Sequence, residues 1–436
     1  MKMPFPALRW LVACTALVLS CVAAEPSAPA PRDPITASVD RAKAIYRPGE
    51  TVTFLFALEN TGASAVAGDL EWALTKDGLP AFSTGRVPVV NGKATVTGKL
   101  DEPGFLQCRG TYVHDGKKIT VMAGAAIAPA AIKPSQPMPD DFVAFWESKK
   151  KQLAAVPIHA RLTPVKAPRE KVETFDLQAD SIGAPVSGYY ARPIGAKVRS
   201  LPAVLTVHGA GVRSASLSGA AGWAADGAIA LDLNAHGLPN GRDAAFYEAL
   251  AKGELKDYRS AGRESRDTVY FLGMFLRLVR AIDFLTEQPE WDGRTVAVYG
   301  SSQGGAQAIA AAGLDSRVSF FVAGVPAMCD HTGFLANRIS GWPKFVPTGE
   351  KSPSAAVVSA IRYYDAVNFA ARAKAPGYFT VGFIDTTCPP SSVYAAYNAL
   401  RTPKDIFHDI KAGHTNTPAA TAGMRAAVKR HFAATK

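Results

Sequence analysis

A chain of 436 residues with 48% hydrophobic content is too long for one small core and too apolar for a disordered polymer, so two folded domains are the natural reading. Its formal charge of +11 favours attraction to anionic surfaces or polymers. No basic helix, zinc-finger spacing or RNA-binding signature accompanies that charge, and neither Cys-x-x-Cys nor His-Glu-x-x-His occurs, so no nucleic acid, no metal and no organic cofactor is expected.

Lys2 and Arg9 precede an apolar run from Trp10 to Leu19, and Val22-Ala23-Ala24 stands before Glu25. A cationic start, a short apolar stretch and a small-residue cleavage site mark a secretory signal over residues 1–24, too short to span a bilayer. A secreted or periplasmic protein is therefore expected. Val18-Leu19-Ser20-Cys21 loosely resembles a lipobox, but Leu19 fits it poorly, which leaves a lipoprotein as the lesser alternative. Setting aside the two leader cations takes the charge from +11 to +9. The remaining cysteines are Cys108, Cys329 and Cys388, an odd number that excludes complete pairing. Glu25 to Asp33, rich in Pro, Ala and Ser, reads as a flexible lead-in.

Residues 34–127 read as all-β. Thr51-Val52-Thr53-Phe54-Leu55-Phe56-Ala57-Leu58, Leu70-Glu71-Trp72-Ala73-Leu74, Lys93-Ala94-Thr95-Val96-Thr97 and Phe105-Leu106-Gln107-Cys108-Arg109-Gly110-Thr111-Tyr112-Val113 are strand-like runs between turn signals. Asp115-Gly116 signals a hairpin before Lys118-Ile119-Thr120-Val121-Met122. Short strands with regular turns suggest an immunoglobulin-like sandwich. Cys108 falls inside a strand and should pack as a small hydrophobe. No catalytic cluster occurs here, so a domain that buttresses the rest is favoured over a sugar-binding module.

A Pro- and Ala-rich linker follows at 128–138, and the second domain occupies 139–436. Asp140-Asp141 can cap a helix over 142–153, and Lys149-Lys150-Lys151 reads as its solvated face. Runs at 172–177 and 186–192 form an antiparallel pair leading into apolar strands at 203–207 and 228–233. In 268–285, Phe271, Phe275, Leu278, Ile282 and Leu285 recur at steps of four and three, giving a helix with one apolar face. Later strands are expected at 318–325, 378–384 and 406–410, with a helix at 394–400. Alternating helices and apolar strands imply a doubly wound, mostly parallel sheet, whose sites lie beyond the carboxyl ends of its strands.

The organising stretch is Val296-Ala297-Val298-Tyr299-Gly300-Ser301-Ser302-Gln303-Gly304-Gly305, followed by a small-residue helix over 306–312. Strand, Gly-x-Ser-x-Gly and helix are the setting of a nucleophile elbow, which makes Ser302 the nucleophile. A serine hydroxyl needs a base to take its proton, and the base needs an acid to set its tautomer. In an α/β-hydrolase the chain order is Ser, acid, His. Asp385, at the end of an apolar strand, and His414, in the loop after the last strand, fill that order. Asp330 is the rival acid and His408 the rival base. The N–H groups of Gln303 and Ala210, the latter in His208-Gly209-Ala210-Gly211, are the expected oxyanion donors; His208 itself is expected to prop its loop.

Several segments resemble the acetyl xylan esterase and cephalosporin C deacetylase family, carbohydrate esterase family seven. They are Pro139-Asp140-Asp141-Phe142-Val143-Ala144-Phe145-Trp146, the Ser-Gln-Gly-Gly elbow at 302–305, Pro326-Ala327-Met328-Cys329-Asp330, and Asp385-Thr386-Thr387-Cys388-Pro389-Pro390-Ser391-Ser392, with Asn398 in the helix that follows. The resemblance runs from about Pro139 to the C-terminus. It implies an α/β-hydrolase that removes acetyl groups from sugars, with Ser302, Asp385 and His414 as triad and Ala210 and Gln303 as oxyanion donors. Three features depart from the family. Asp232-Leu233-Asn234-Ala235-His236-Gly237 stands in place of its Arg-Gly-Gln motif, Thr415 replaces the usual Glu after the histidine, and the β-domain is added.

The expectation is thus a secreted serine esterase acting on an acetylated carbohydrate. Glucuronoyl or feruloyl ester hydrolysis, a prolyl-oligopeptidase-like peptidase and a non-catalytic carbohydrate binder are the rivals. Assembly into a homo-oligomer and pairing of Cys329 with Cys388 stay open.

Overall fold

The computed structural model describes residues 35–58, 68–114, 116–350 and 352–435. The proposed leader, 1–24, and the Pro-rich stretch after it lie outside these residues. No helix among the described residues is long and apolar enough to cross a membrane.

The N-terminal strands are β1 (Ile35–Val39), β2 (Ile45–Tyr46), β3 (Val52–Leu58), β4 (Asp69–Lys76), β5 (Ser83–Pro88), β6 (Lys93–Gly98), β7 (Gly104–His114) and β8 (Lys117–Ile127). They form a three-stranded sheet, β1-β3-β6, and a five-stranded sheet, β2-β8-β7-β4-β5. Period-two alternation drives the packing: Phe54, Phe56, Leu70, Leu74, Val96, Leu106 and Cys108 all enter one core between the sheets. Cys108 is a free, fully buried thiol, and burial pushes its pKa up to about 12. The antiparallel β7–β8 register runs to His114↔Lys117, and Asp115 of the expected hairpin signal lies outside the described residues.

The second domain adds β9 (Arg161–Val165), β10 (Val172–Ala179), β11 (Val186–Pro193), β12 (Leu201–Val207), β13 (Ile229–Leu233), β14 (Trp291–Ser301), β15 (Phe320–Gly324), β16 (Gly377–Gly382) and β17 (Lys404–Asp409). They make one nine-stranded sheet in the order β17-β16-β15-β14-β12-β13-β11-β10-β9. The strands from β17 to β13 are mutually parallel, while β11, β10 and β9 join antiparallel. This is the expected doubly wound, mostly parallel sheet preceded by a small β-domain.

The helices are α1 (Phe142–Ala154), α2 (Leu217–Ala225), α3 (Ala244–Lys252), α4 (Phe271–Glu287), α5 (Gln303–Leu314), α6 (Ala355–Ile361), α7 (Ala366–Arg372), α8 (Pro390–Ala399) and α9 (Pro418–Ala434). Alternate strand residues divide the faces. Leu205, Leu231, Val298 and Phe321 join α1, α4, α5 and α7 in one core, while Val204, Ala230, Ala297 and Val322 meet Trp223 of α2 and Met424 and Val428 of α9. Strands buried on both sides read as continuous apolar runs for this reason.

Tertiary packing corrects three local readings. Helix α4 is buried nearly all round, with Arg277 and Arg280 inside it. Their guanidinium groups donate to main-chain carbonyls, Arg277 to Ala235 at 2.7 Å and Arg280 to Leu153 at 2.6 Å, which gives partners inside the protein to side chains a helix wheel would place in solvent. Asp141 makes no side-chain cap to α1; its carboxylate binds Arg266 and Tyr363 instead. The lysine run is no free face either, since Lys149 pairs with Asp267 at 2.7 Å and Lys150 donates to the Leu314 carbonyl at 2.9 Å.

Candidate active site

Strand β14 ends at Ser301 and α5 begins at Gln303, so Ser302 alone makes the turn. Its backbone is held at φ 58° and ψ −123°, a left-handed conformation costing an L-residue about 1–3 kcal/mol. The turn is held from three sides: the Ser302 N–H donates to the Gly324 carbonyl, and the Ser302 carbonyl accepts from Ala306 and Ala327. The flanking glycines are required by contact. A Cβ on Gly300 would stand 2.2 Å from the Gly304 carbonyl oxygen, and one on Gly304 would stand 2.2 Å from that of Val207.

Asp385 lies just beyond β16 and His414 just beyond β17, two strands and three away from the elbow strand in the sheet. The structure brings the three residues together: His414 Nε2 is 2.8 Å from Ser302 Oγ, and His414 Nδ1 is 2.8 Å from Asp385 Oδ2. An ionised carboxylate only accepts, so the proton sits on Nδ1 and the Nε2 lone pair faces the hydroxyl. Asp385 is 1% exposed, and its other oxygen accepts the N–H groups of Thr387 at 2.8 Å and Cys388 at 2.9 Å. These bonds hold the carboxylate in place, aimed at His414.

The rivals have other partners. Asp330 is paired with Arg338 at 2.6 Å and accepts from the N–H and hydroxyl of Ser135, tying the linker to the loop after β15. His408 sits within β17, bonded to the Tyr394 hydroxyl at 2.5 Å. His208 props its loop with both nitrogens: Nδ1 donates to the Gly209 carbonyl at 2.7 Å, and Nε2 accepts from the Ala235 N–H at 3.1 Å. Burial, helped by the Arg213 charge, lowers its pKa to about 4 and keeps it neutral.

The Gly209–Ala210 loop abuts the elbow, since a Cβ on Gly209 would lie 3.5 Å from the Ser302 Cβ. Among the described residues, no hydrogen-bond acceptor takes the N–H of Ala210 or of Gln303. Tyr258 links the two segments: its hydroxyl donates to Gln303 Oε1 at 2.9 Å and accepts from the Gly211 N–H at 3.4 Å. His236, in place of the family's Arg-Gly-Gln, lies edge-on to Tyr258 with ring centroids 4.7 Å apart and bonds the Tyr270 hydroxyl. Asn416 donates to Ser301 Oγ at 3.0 Å and accepts from Thr380 Oγ1 at 2.5 Å, holding the histidine loop beside the elbow. Nothing in local sequence singles out Tyr258 or Thr380. Asn416, two residues after His414, has proximity as its only signal.

Cys329 and Cys388 are both free and buried, and burial raises both thiols well above their ordinary pKa. Cys388 lies with Asp385 and His414 in a group whose ligand atoms are within 4.8 Å of one another. Both His414 nitrogens and both Asp385 oxygens are already committed to the bonds just described. A cleft of about 640 Å³ adjoins the elbow, lined by His208, Gly209, Arg213, Trp223, Ser301 and Arg425 among others.

The profile of the acetyl xylan esterase family matches residues 130–425. An acetyl esterase of Xylanibacter ruminicola is 35% identical over 359 residues, spanning 77% of each chain. The structure of an acetyl xylan esterase from Paenibacillus sp. superposes with a TM-score of 0.60 at 28% identity, covering 69% of this chain and 98% of that one. An acetyl xylan esterase from Thermoanaerobacterium sp. shares the fold, with a TM-score of 0.58 at 23% identity over 70% of this chain and 98% of that one. With the hydrolase sheet, the elbow and a match over most of its length, this chain belongs to the acetyl xylan esterase family and is a carboxylic-ester hydrolase.

Proposed function

We propose that the protein is an exported serine esterase that removes O-acetyl groups from polysaccharides or oligosaccharides through an acetyl-enzyme intermediate. The observation that carries this reading is the hydrogen-bonded line Ser302–His414–Asp385 at the rim of the sheet, with 2.8 Å on either side of the imidazole. Ser302 Oγ attacks the acetyl carbonyl as His414 Nε2 takes its proton. Asp385 stabilises the imidazolium that forms. The N–H groups of Ala210 and Gln303 receive the negative oxygen, each worth about 3–4 kcal/mol by comparison with known oxyanion donors. His414 then hands the proton to the departing sugar oxygen, which leaves acetyl bound to Ser302. Water, deprotonated by the same imidazole, attacks that ester and releases acetate.

Export rests on the leader pattern at 1–24. The acetylated-sugar substrate is supported by the family and by the named activities of its relatives. The deciding experiment measures acetate release from acetylated xylo-oligosaccharides and p-nitrophenyl acetate, in the wild type and in Ser302→Ala. The wild type should release acetate and the variant should release none. Turnover that survives Ser302→Ala sinks the assignment. Cleavage of peptide amides, or of glucuronoyl or feruloyl esters, in preference to acetate esters would move the substrate class. Glycan binding with no turnover of any ester would make the fold a scaffold for a binder. Cell fractionation and the mature N-terminus test export, with cleavage before Glu25 expected.

A further inference from the structure

Strands β7 and β8 present two faces. Leu106 and Cys108 enter the sandwich core, whereas Phe105 and Ala126 belong to the core of the hydrolase domain. Gln107 shares the outward face of Phe105 and is 1% exposed. It pairs across the strands with Gly124, and the two converge on one atom of the other domain, the carbonyl oxygen of Phe383. Gln107 Nε2 donates to that oxygen at 2.9 Å. Gly124 approaches so closely that a Cβ there would lie 2.5 Å from the same oxygen. The Phe105 ring stands edge-on to Phe383 at 5.1 Å and meets Tyr394 of α8 at 5.7 Å. On the far end of α8, Asn398 donates to the carbonyls of Pro129 and Ile132 in the linker.

Phe383 is two residues ahead of Asp385. The turn carrying the carboxylate is tied to its own domain by main-chain bonds at the long end of the range: Phe383 N to Asp409 O at 3.2 Å, Ile384 N to Ala412 O at 3.2 Å and Asp385 N to Gly382 O at 3.3 Å. Among the described residues, the Phe383 carbonyl receives no main-chain N–H, and the sandwich supplies its donor. Because Asp385 accepts from Thr387 and Cys388 in its own loop, the loop moves with its stem.

We propose that the N-terminal sandwich is a working part of the catalytic centre: through Phe105, Gln107 and Gly124 it clamps the 383–385 turn and so holds Asp385 against His414. These are positioning residues, acting through Asp385, and the inference rests on the triad reading above. All eight sandwich strands lie outside the family match at 130–425, so this support is an addition to the matched region.

The test uses the full chain. Gln107→Met keeps a linear side chain of similar size and removes the donor. A displacement of about 1 Å in a catalytic group costs up to about 100-fold, so kcat on p-nitrophenyl acetate should fall about tenfold with KM within about twofold. The same substitution made in Asp385→Ala should change kcat by less than about twofold, because nothing remains to be positioned. Phe105→Leu should repeat this pattern and carries the test where Gln107→Met fails to fold. An equal loss in both backgrounds overturns the proposal, as does unchanged kcat in the folded single variants. Failure of the underlying functional reading is distinct, since it appears as turnover surviving Ser302→Ala.

Discussion

The two domains of the molecule solve burial differently. The hydrolase sheet hides both faces under helices, and its central strands are buried throughout, as in β13 and β16. The sandwich alternates, with every second residue of β3 and β6 turned to solvent. The exceptions are the paired ends of β7 and β8, Gly104-Phe105-Leu106-Gln107-Cys108 and Ala123-Gly124-Ala125-Ala126-Ile127, which are buried on both faces as a hydrolase strand is. That is where the sandwich meets the acid loop. A β-domain that behaves like a core strand at one end is a structural neighbour of the catalytic centre, and its stability and the enzyme's rate are then coupled.

Several variants would break or sharpen this contrast. The largest effect belongs to the hydrolase side alone. Asp385→Asn should lower kcat by about 10³–10⁴ with little change in thermal stability, because the amide favours the wrong tautomer of His414. Retention of more than about a tenth of the activity would show that the acid works from elsewhere.

Phe54→Ala attacks the sandwich alone. The ring is fully buried, and its loss should cost about 3–5 kcal/mol. Amide exchange should loosen first in the sandwich strands, and the activity should decline along with them. An unfolded sandwich beside an unchanged kcat would make the two regions independent.

His331 tests the hydrolase core by pH. It is fully buried against Phe345, and burial lowers its pKa to about 3. The unfolded chain therefore binds a proton below about 6.5 that the native chain refuses, so the wild type loses stability as the pH falls from there towards 3. Relative to its own value at pH 7, His331→Leu should gain about 2 kcal/mol on the wild type by pH 5, measured by denaturant unfolding at both pH values. Parallel stability curves for the two proteins would mean that the ring is protonated in place.

The smallest effect is expected at the oxyanion segments. Tyr258→Phe removes the hydroxyl joining Gln303 to Gly211, worth about 1 kcal/mol, and should reduce kcat between threefold and about tenfold with KM unchanged. A rise in KM alone would place Tyr258 in substrate binding.

Much of the site was legible because it obeys local rules. Gly300, Ser302 and Gly304 announce a turn that only glycines at those contacts permit, and Asp385 and His414 sit where apolar strands stop. Short elements and those without a clear amphipathic pattern were harder to read. Strand β9, with its mostly exposed residues, lacks the alternation that marks a strand, and helices α2 and α9 are rich in alanine without a clear polar face. Tyr258 lies in a turn-rich stretch with no periodicity, and Gln107 is one of several polar residues in β7; neither says what it touches.

By itself, the sequence determined the fold class, the elbow and the order of Ser302, Asp385 and His414, because strand periodicity, glycine contacts and chain order act over a few residues or along one sheet. Tertiary structure decided that Arg277 and Arg280 are buried, that Asp141 binds Arg266 and Tyr363 instead of capping α1, and that Gln107 meets the Phe383 carbonyl 276 residues away. Those outcomes depend on which surfaces are left to pair once the sheets are built, and a long-range hydrogen bond leaves no spacing rule in the chain that makes it.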